Sequence, residues 1–402
     1  MSGIFELFVP GVKAGSAYQY EIKVKGGNIR RKSDPYGNGT QEPPSVISVV
    51  TELGDFSWQD DVWMKERVKY ESREIPVSVY ETDITAWKNN IDFVNFVKET
   101  GYTHVELHPV MEYLDQKSGG YSTSAYYSVT TRFGTVEDFR VLVEELHQAG
   151  IGVILDWAPA QFPRFDAGLE KFDGTPLYEV QDPAMAVHPM WGTMLYNYGS
   201  PMVRNFLLSN AFFWLDEFHV DGFRMDDVDA MLYLDFGREA GQWTANLYSS
   251  NENLQAMEFL KHLNSIVKKQ YPGILLIAQE DGLWPQLTDS VENDHPGFDY
   301  KWSGGWTRDL LTYMETEPVR RHEHYDQMTL SMMYAYSEHY VLTLGKRDVG
   351  TTAEFLEKLP GTLKEKNAQL REAYAYLILH PGIKMTAPDS DIQPELKECV
   401  SA

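Results

Sequence analysis

Cysteine is almost missing: the 402 residues hold one, Cys399. A single thiol near the C-terminus forms no internal disulfide, so nothing asks for an oxidising compartment and the cytoplasm is the expected location. Long apolar runs are missing too, with no stretch near the roughly 20 residues a membrane span needs. The opening MSGIFELFVPGVKAGSAYQY lacks the basic start, apolar run and cleavage site of a secretory signal. No membrane partner is expected. Cations are scarce, 35 Lys and Arg against 59 Asp and Glu, and the net charge of -24 repels nucleic acid and anionic lipid. His104, His108, His188 and His219 are scattered without metal-ligand spacing, so each reads as an ordinary core or loop histidine and no metal or other cofactor is expected.

What remains is a chain rich in flat polar-edged rings. Aromatic residues make up 13%, including 10 Trp and 24 Tyr, a composition that suits core packing and also the apolar faces of neutral sugars. Residues 1–50 read as short strands, FELFV, YQYEIKV and VISVV, forming a partial β-sandwich. Residues 51–76 read as a linker lying on the next domain. From Val77 to about residue 390, eight strand candidates alternate with amphipathic helices: VSVYETDI, THVELHPV, GVILDWAP, VDGFRMDD, GILLIAQED, FDYKW, HYVLTLG and a weaker IKMTA. That alternation predicts a (β/α)8 TIM-type barrel. An open doubly wound sheet would want a Gly-rich turn after its first strand, and the turn after VSVYETDI has no glycine. Residues 391–402 read as a short tail.

Barrel chemistry sits at the C-terminal strand ends. The third candidate strand closes on Asp156, the fourth on Asp226 after Arg224, and the fifth on Gln279 and Glu280. Singly, each suits a helix cap or a buried ion pair. Jointly, they place several converging polar groups at one barrel mouth.

PVSVYE, YTHVELHPVMEY, QAGIGVILDWAP, VRNFLLSNAFFWLDEFHVDGFRMD, LPG and HPGIK closely resemble segments of the 1,4-α-glucan (glycogen) branching enzymes of the α-amylase superfamily. The resemblance runs from about Ile4 to Lys384. It implies a retaining transfer of α-1,4-glucan, in which one carboxylate attacks the anomeric carbon and a second acid protonates the departing oxygen. It assigns the nucleophile to Asp226, its supporting arginine to Arg224, a further carboxylate to Asp156 and the tyrosine beneath the sugar to Tyr121. Its proton donor falls on Gln279, which carries no titratable proton near neutral pH. A sugar-gripping histidine falls on Gln161. A histidine–aspartate pair falls on Lys346 and Arg347, and the alanine after the nucleophile is Asp227.

The resemblance also implies a fuller N-terminal sandwich and a C-terminal β-domain that the sequence does not show, and the weak eighth strand predicts imperfect barrel closure. The chain thus reads as a shortened, degenerate member with little or no activity. Glu280 comes directly after Gln279 and is expected to face away from the barrel axis. Asp348 is a candidate substitute for the lost pair. Four readings stay open: a branching enzyme with relocated groups, an α-amylase-like hydrolase, a non-catalytic protein binding glycogen, amylose or starch, and a gene product with no selected role. An active branching enzyme is a further candidate partner.

Overall fold

The computed structural model describes residues 7–83, 90–282 and 284–387. Helix Val136–Gln148 shows how local sequence sets an element. Thr135 and Asp138 form a reciprocal capping box at its start. Phe139, Leu142, Val143 and Leu146 then recur at helical spacing and are fully buried. Strand Gly152–Trp157 comes next, buried along its whole length because a barrel strand is covered inside and out. Gly152 is required there, since a Cβ would lie 2.4 Å from the His104 ring and 2.8 Å from Trp63.

Eight parallel strands close in chain order: Ser78–Thr82, His104–Leu107, Gly152–Trp157, Gly222–Met225, Leu275–Ala278, Tyr300–Trp302, Tyr340–Leu344 and Ile383–Thr386. All eight expected strands are present. The expected weakness of the eighth is corrected: it pairs in register with the seventh, Val341 opposite Ile383, and with the first, Lys384 opposite Ser78. β-branched and aromatic neighbours on both sides hold a short strand that looks weak alone. Inside, Val79, Ile154, Leu275, Ile277, Tyr300, Trp302, Val341 and Met385 pack into one cluster with Trp63.

Trp63 belongs to a helix, Asp61–Glu66, inside the segment expected to be a linker. The segment is anchored at the N-terminal end of the barrel by Asp221. Its carboxylate accepts from Trp63 Nε1 at 2.8 Å, Arg67 Nη1 at 3.1 Å and the Val153 backbone N–H at 2.7 Å, and meets His147 Nε2 at 2.9 Å. His147 Nδ1 reaches Asp60 at 2.8 Å, and so does His219 Nδ1. Burial opposes charge on His147, but Asp221 and Asp60 outweigh it and raise its pKa. Burial likewise opposes charge on Asp60 and Asp221, and the histidines and Arg67 outweigh it and hold both carboxyls below the usual range.

The N-terminal β-structure is two antiparallel pairs, Ala17–Tyr18 with Ser48–Val49 and Tyr20–Lys23 with Ile29–Lys32. The hairpin partner Ile29–Lys32 had no counterpart among the expected strands. Of the expected strand FELFV, Phe5 and Glu6 lie outside the described residues. Leu7 to Val9 form no strand, and Leu7 and Phe8 are more than four-fifths exposed, with no strand beside them among the described residues. Lys32 is fully buried and ties this module to the barrel, donating to the carbonyls of Gly168 at 2.9 Å and Glu170 at 2.8 Å. No helix among the described residues is long and apolar enough to cross a membrane. The expected tail, 391–402, with Cys399, lies outside the described residues.

Candidate active site

Arg224 is the hub of the barrel mouth. It comes after Phe223 on the fourth strand, opposite Asp156 on the third, and is completely buried. Its Nε donates to Asp156 Oδ1 at 2.6 Å and Glu106 Oε1 at 2.9 Å. Its Nη2 donates to Asp156 Oδ2 at 3.0 Å, Tyr121 Oη at 3.2 Å and Asp226 Oδ1 at 3.3 Å, and its Nη1 to Gln279 Oε1 at 3.1 Å. One planar guanidinium therefore gathers Asp156, Tyr121, Asp226 and Gln279, all expected at the site. Burial opposes its charge, but Asp156, Glu106 and Asp226 outweigh that and raise its pKa further.

The carboxyl groups respond to the same burial. It lifts Asp226 above the ordinary range against the pull of Arg224, with Glu106 adding to the rise. Asp156 is also raised by burial, opposed by Arg224 and reinforced by Glu106 close beside it. Asp227, at φ 58° where the chain turns into helix Val228–Leu232, is pushed up to about 8 by burial and by Asp226. His188 Nε2 lies 3.2 Å from Asp227 Oδ2, and burial pulls that histidine down to about 4.

Gln279 is fixed by its oxygen. Besides Arg224, the Asp227 backbone N–H donates to Oε1 at 3.4 Å. Its neighbour Glu280 is turned to another task, as the strand alternation implied: Lys301 on the sixth strand pairs with Glu280 Oε2 at 2.5 Å. Gln161 sits beside Asp227, donating to its Oδ2 at 3.4 Å and accepting from the Thr193 hydroxyl. Asp348 accepts from the Gly345 backbone N–H at 2.9 Å and so caps its own turn, with burial lifting it to about 6.

Lys346 and Arg347 part company, which corrects the expectation that both cations enter the mouth. Lys346 is half exposed and turns to the rim, where Nζ holds Asp83 at 2.7 and 2.8 Å. Arg347 turns inward. It donates to Asp156, lies 3.5 Å from Glu81 Oε1 and 3.8 Å from Asp226 Oδ1, and sets its guanidinium carbon 4.5 Å from the centre of the Tyr121 ring. Lys346 and Arg347 open the short helix Lys346–Val349, where consecutive side chains point in different directions, and here one reaches the rim and the other the mouth. The turn approaches so closely because residue 345 is glycine: a Cβ would fall 1.8 Å from Glu81 Oε2.

Glu81, Glu106 and His108 also belong to the mouth, though none was expected there. Glu106 Oε2 is buried with no hydrogen-bond partner among the described residues, and His108 Nε2 meets Glu81 Oε1 at 2.9 Å. The signal in the sequence was a glutamate within each of the apolar strands VSVYETDI and THVELHPV, where a charge is costly unless it is paired at the mouth.

A parallel barrel whose mouth gathers carboxylates around one buried arginine resembles a known class. Residues 81–160 match the α-amylase catalytic domain, and residues 1–37 match carbohydrate-binding module 48, the isoamylase N-terminal domain. A putative α-amylase from Salmonella typhimurium, solved at 1.4 Å, shares the fold with a TM-score of 0.66 at 18% identity over 94% of this chain and 64% of its own. The barrel is of the α-amylase superfamily. The 1,4-α-glucan branching enzyme of Thermobifida fusca is 45% identical over 97% of this chain and 53% of its own length. That of Methylococcus capsulatus is 43% identical over 96% and 54%, and that of Marinobacter nauticus 42% over 95% and 63%. The chain is closely similar to the 1,4-α-glucan branching enzymes, and spans about half the length of the curated relatives it matches.

Proposed function

We propose that the barrel mouth is an α-1,4-glucan site with little or no branching activity. The observation that carries this reading is Gln279, whose amide oxygen accepts from the Asp227 backbone N–H and from the same Arg224 guanidinium that donates to Asp226. Asp226 supplies an attacking carboxylate, Arg224 orients it, and Tyr121 offers a ring face to the sugar. An amide has no proton to give a departing sugar oxygen, and general acid catalysis contributes roughly 10²- to 10⁴-fold. Glycogen, amylose or starch would be bound and left mostly uncut. The single cysteine supports a cytoplasmic location.

Affinity electrophoresis in amylose-containing gels, run beside an iodine-stained amylose branching assay, scores binding and chemistry separately. Retardation without a change in iodine colour is the expected outcome. A colour change abolished by Asp226→Ala shows instead that another group gives the proton.

A further inference from the structure

We propose that the Arg347 guanidinium occupies the place of a glucose ring on Tyr121, so that glucan enters the mouth only when this side chain withdraws. The proposal rests on the reading of the mouth as a glucan site and adds what controls access to it.

Tyr121 is a fixed platform. Its hydroxyl donates to Asp156 and accepts from Arg224, which leaves the ring face as its free surface in the mouth. Arg347 lies over that ring with its guanidinium carbon 4.5 Å from the centre, within the distance at which a cation is drawn to an aromatic face. A sugar stacked on the same face needs the same volume. The guanidinium is also held by charge: Asp156 accepts from it, and Glu81 and Asp226 lie 3.5 and 3.8 Å away. Asp226 is the carboxylate that would have to meet the anomeric carbon.

The turn that delivers Arg347 is braced. Lys346 pins its outer side to Asp83, Asp348 caps it through the Gly345 N–H, and Gly345 lets it press against Glu81. Arg347 itself is about one-quarter exposed and enters from the rim, so withdrawal toward solvent needs no rearrangement of the barrel. A neutral glucan has no charge with which to replace the guanidinium on three carboxylates. Binding is therefore weakened by the small fraction of molecules in which Arg347 is withdrawn.

Titration calorimetry with maltohexaose tests this on the parent chain, Arg347→Ala and Arg347→Gln, the last keeping an amide too short to cover Tyr121. Circular dichroism and thermal melting check each fold, and Arg347→Gln carries the test if the alanine variant does not fold. The expected result is at least roughly hundredfold tighter binding in the variants, since apparent affinity scales with the competent fraction. Adding Tyr121→Ala to either variant removes the gain. Equal binding by parent and variants, weakened in all by Tyr121→Ala, overturns the proposal and leaves the glucan site standing. Weaker binding on losing Arg347 overturns it by making Arg347 a sugar ligand. No binding by any folded protein overturns both the proposal and the glucan reading.

Discussion

Restoring the acid alone, Gln279→Glu, should recover little branching, and the geometry of Arg347 says how little. An effective general acid is worth about 10²- to 10⁴-fold, or roughly 3 to 5 kcal/mol of transition-state stabilisation. The new carboxyl would act only on a sugar seated over Tyr121, where Arg347 now lies. Arg347 is 3.5 Å from Glu81 and 3.8 Å from Asp226, and each such pair has a Coulomb attraction of about 4 to 5 kcal/mol at an effective dielectric of 20. Returning the guanidinium to water recovers most of that, leaving a net cost for a charge-assisted contact of about 1.5 to 3 kcal/mol. Glu81 and Asp226 alone thus lower the glucan-competent fraction by on the order of 10²-fold or more, and Asp156, which accepts directly from Arg347, adds to this. Gln279→Glu should thus branch amylose at no more than about one-hundredth of the rate of Gln279→Glu combined with Arg347→Asp, measured at one substrate concentration by loss of iodine absorbance. Lys346 needs no replacement, since it is tied to Asp83 at the rim. A single Gln279→Glu variant within about threefold of the double variant refutes the reasoning, because a blocked Tyr121 face predicts a gap near 10²-fold.

Asp221→Ala leaves Arg67, Trp63 and His147 without their shared acceptor, and removing one partner of a buried pair costs about 3 to 5 kcal/mol, readable as a fall in urea midpoint. A change below about 1 kcal/mol contradicts the anchoring role of this group. The same group sets a pH window. Asp60 and Asp221 have lowered pKa values, so their contribution is present above the unfolded carboxyl value of about 3.9 and is lost on acidification. His147 has a raised pKa, so its contribution is full below the unfolded value of about 6.5 and is lost as pH rises through the folded value. The melting difference between parent and Asp221→Asn should be largest between about pH 4 and 6.5, and a difference independent of pH counts against the linkage. Asp227 behaves oppositely: raised to about 8, it keeps a proton on folding that the unfolded chain has released. Its presence therefore costs stability increasingly as pH rises from about 4 toward 8, so Asp227→Asn should raise the melting temperature at pH 8 and change it little at pH 4.

Much of the barrel was legible because its strands carry a strong signal. All eight runs are short, β-rich and bounded by turn residues, and a closed barrel needs no more than their order. The N-terminal module was less legible. FELFV alternates like a strand, yet Leu7 to Val9 find no partner among the described residues, whereas Ile29–Lys32, mostly charged, pairs because Tyr20–Lys23 lies opposite. Strand formation there depends on the partner more than on local pattern. At the site, Asp156, Asp226 and Gln279 were readable as strand ends, and Tyr121 only through the family resemblance. Glu81 and Glu106 were missed because each sits inside an apolar run and does not close it. The opposed directions of Lys346 and Arg347 were not readable at all: they depend on a turn whose approach to Glu81 is set by Gly345.

Whether the mouth holds glucan without branching it is decided by proton NMR of amylose incubated with the purified chain, in parallel with Asp226→Ala. α-1,6 linkages give an anomeric signal separate from α-1,4, so new branches are counted and not inferred from colour. No growth of that signal above the Asp226→Ala control is expected, because Gln279 gives no proton to the departing oxygen. An α-1,6 signal that grows with time for the parent chain and is absent for Asp226→Ala contradicts it.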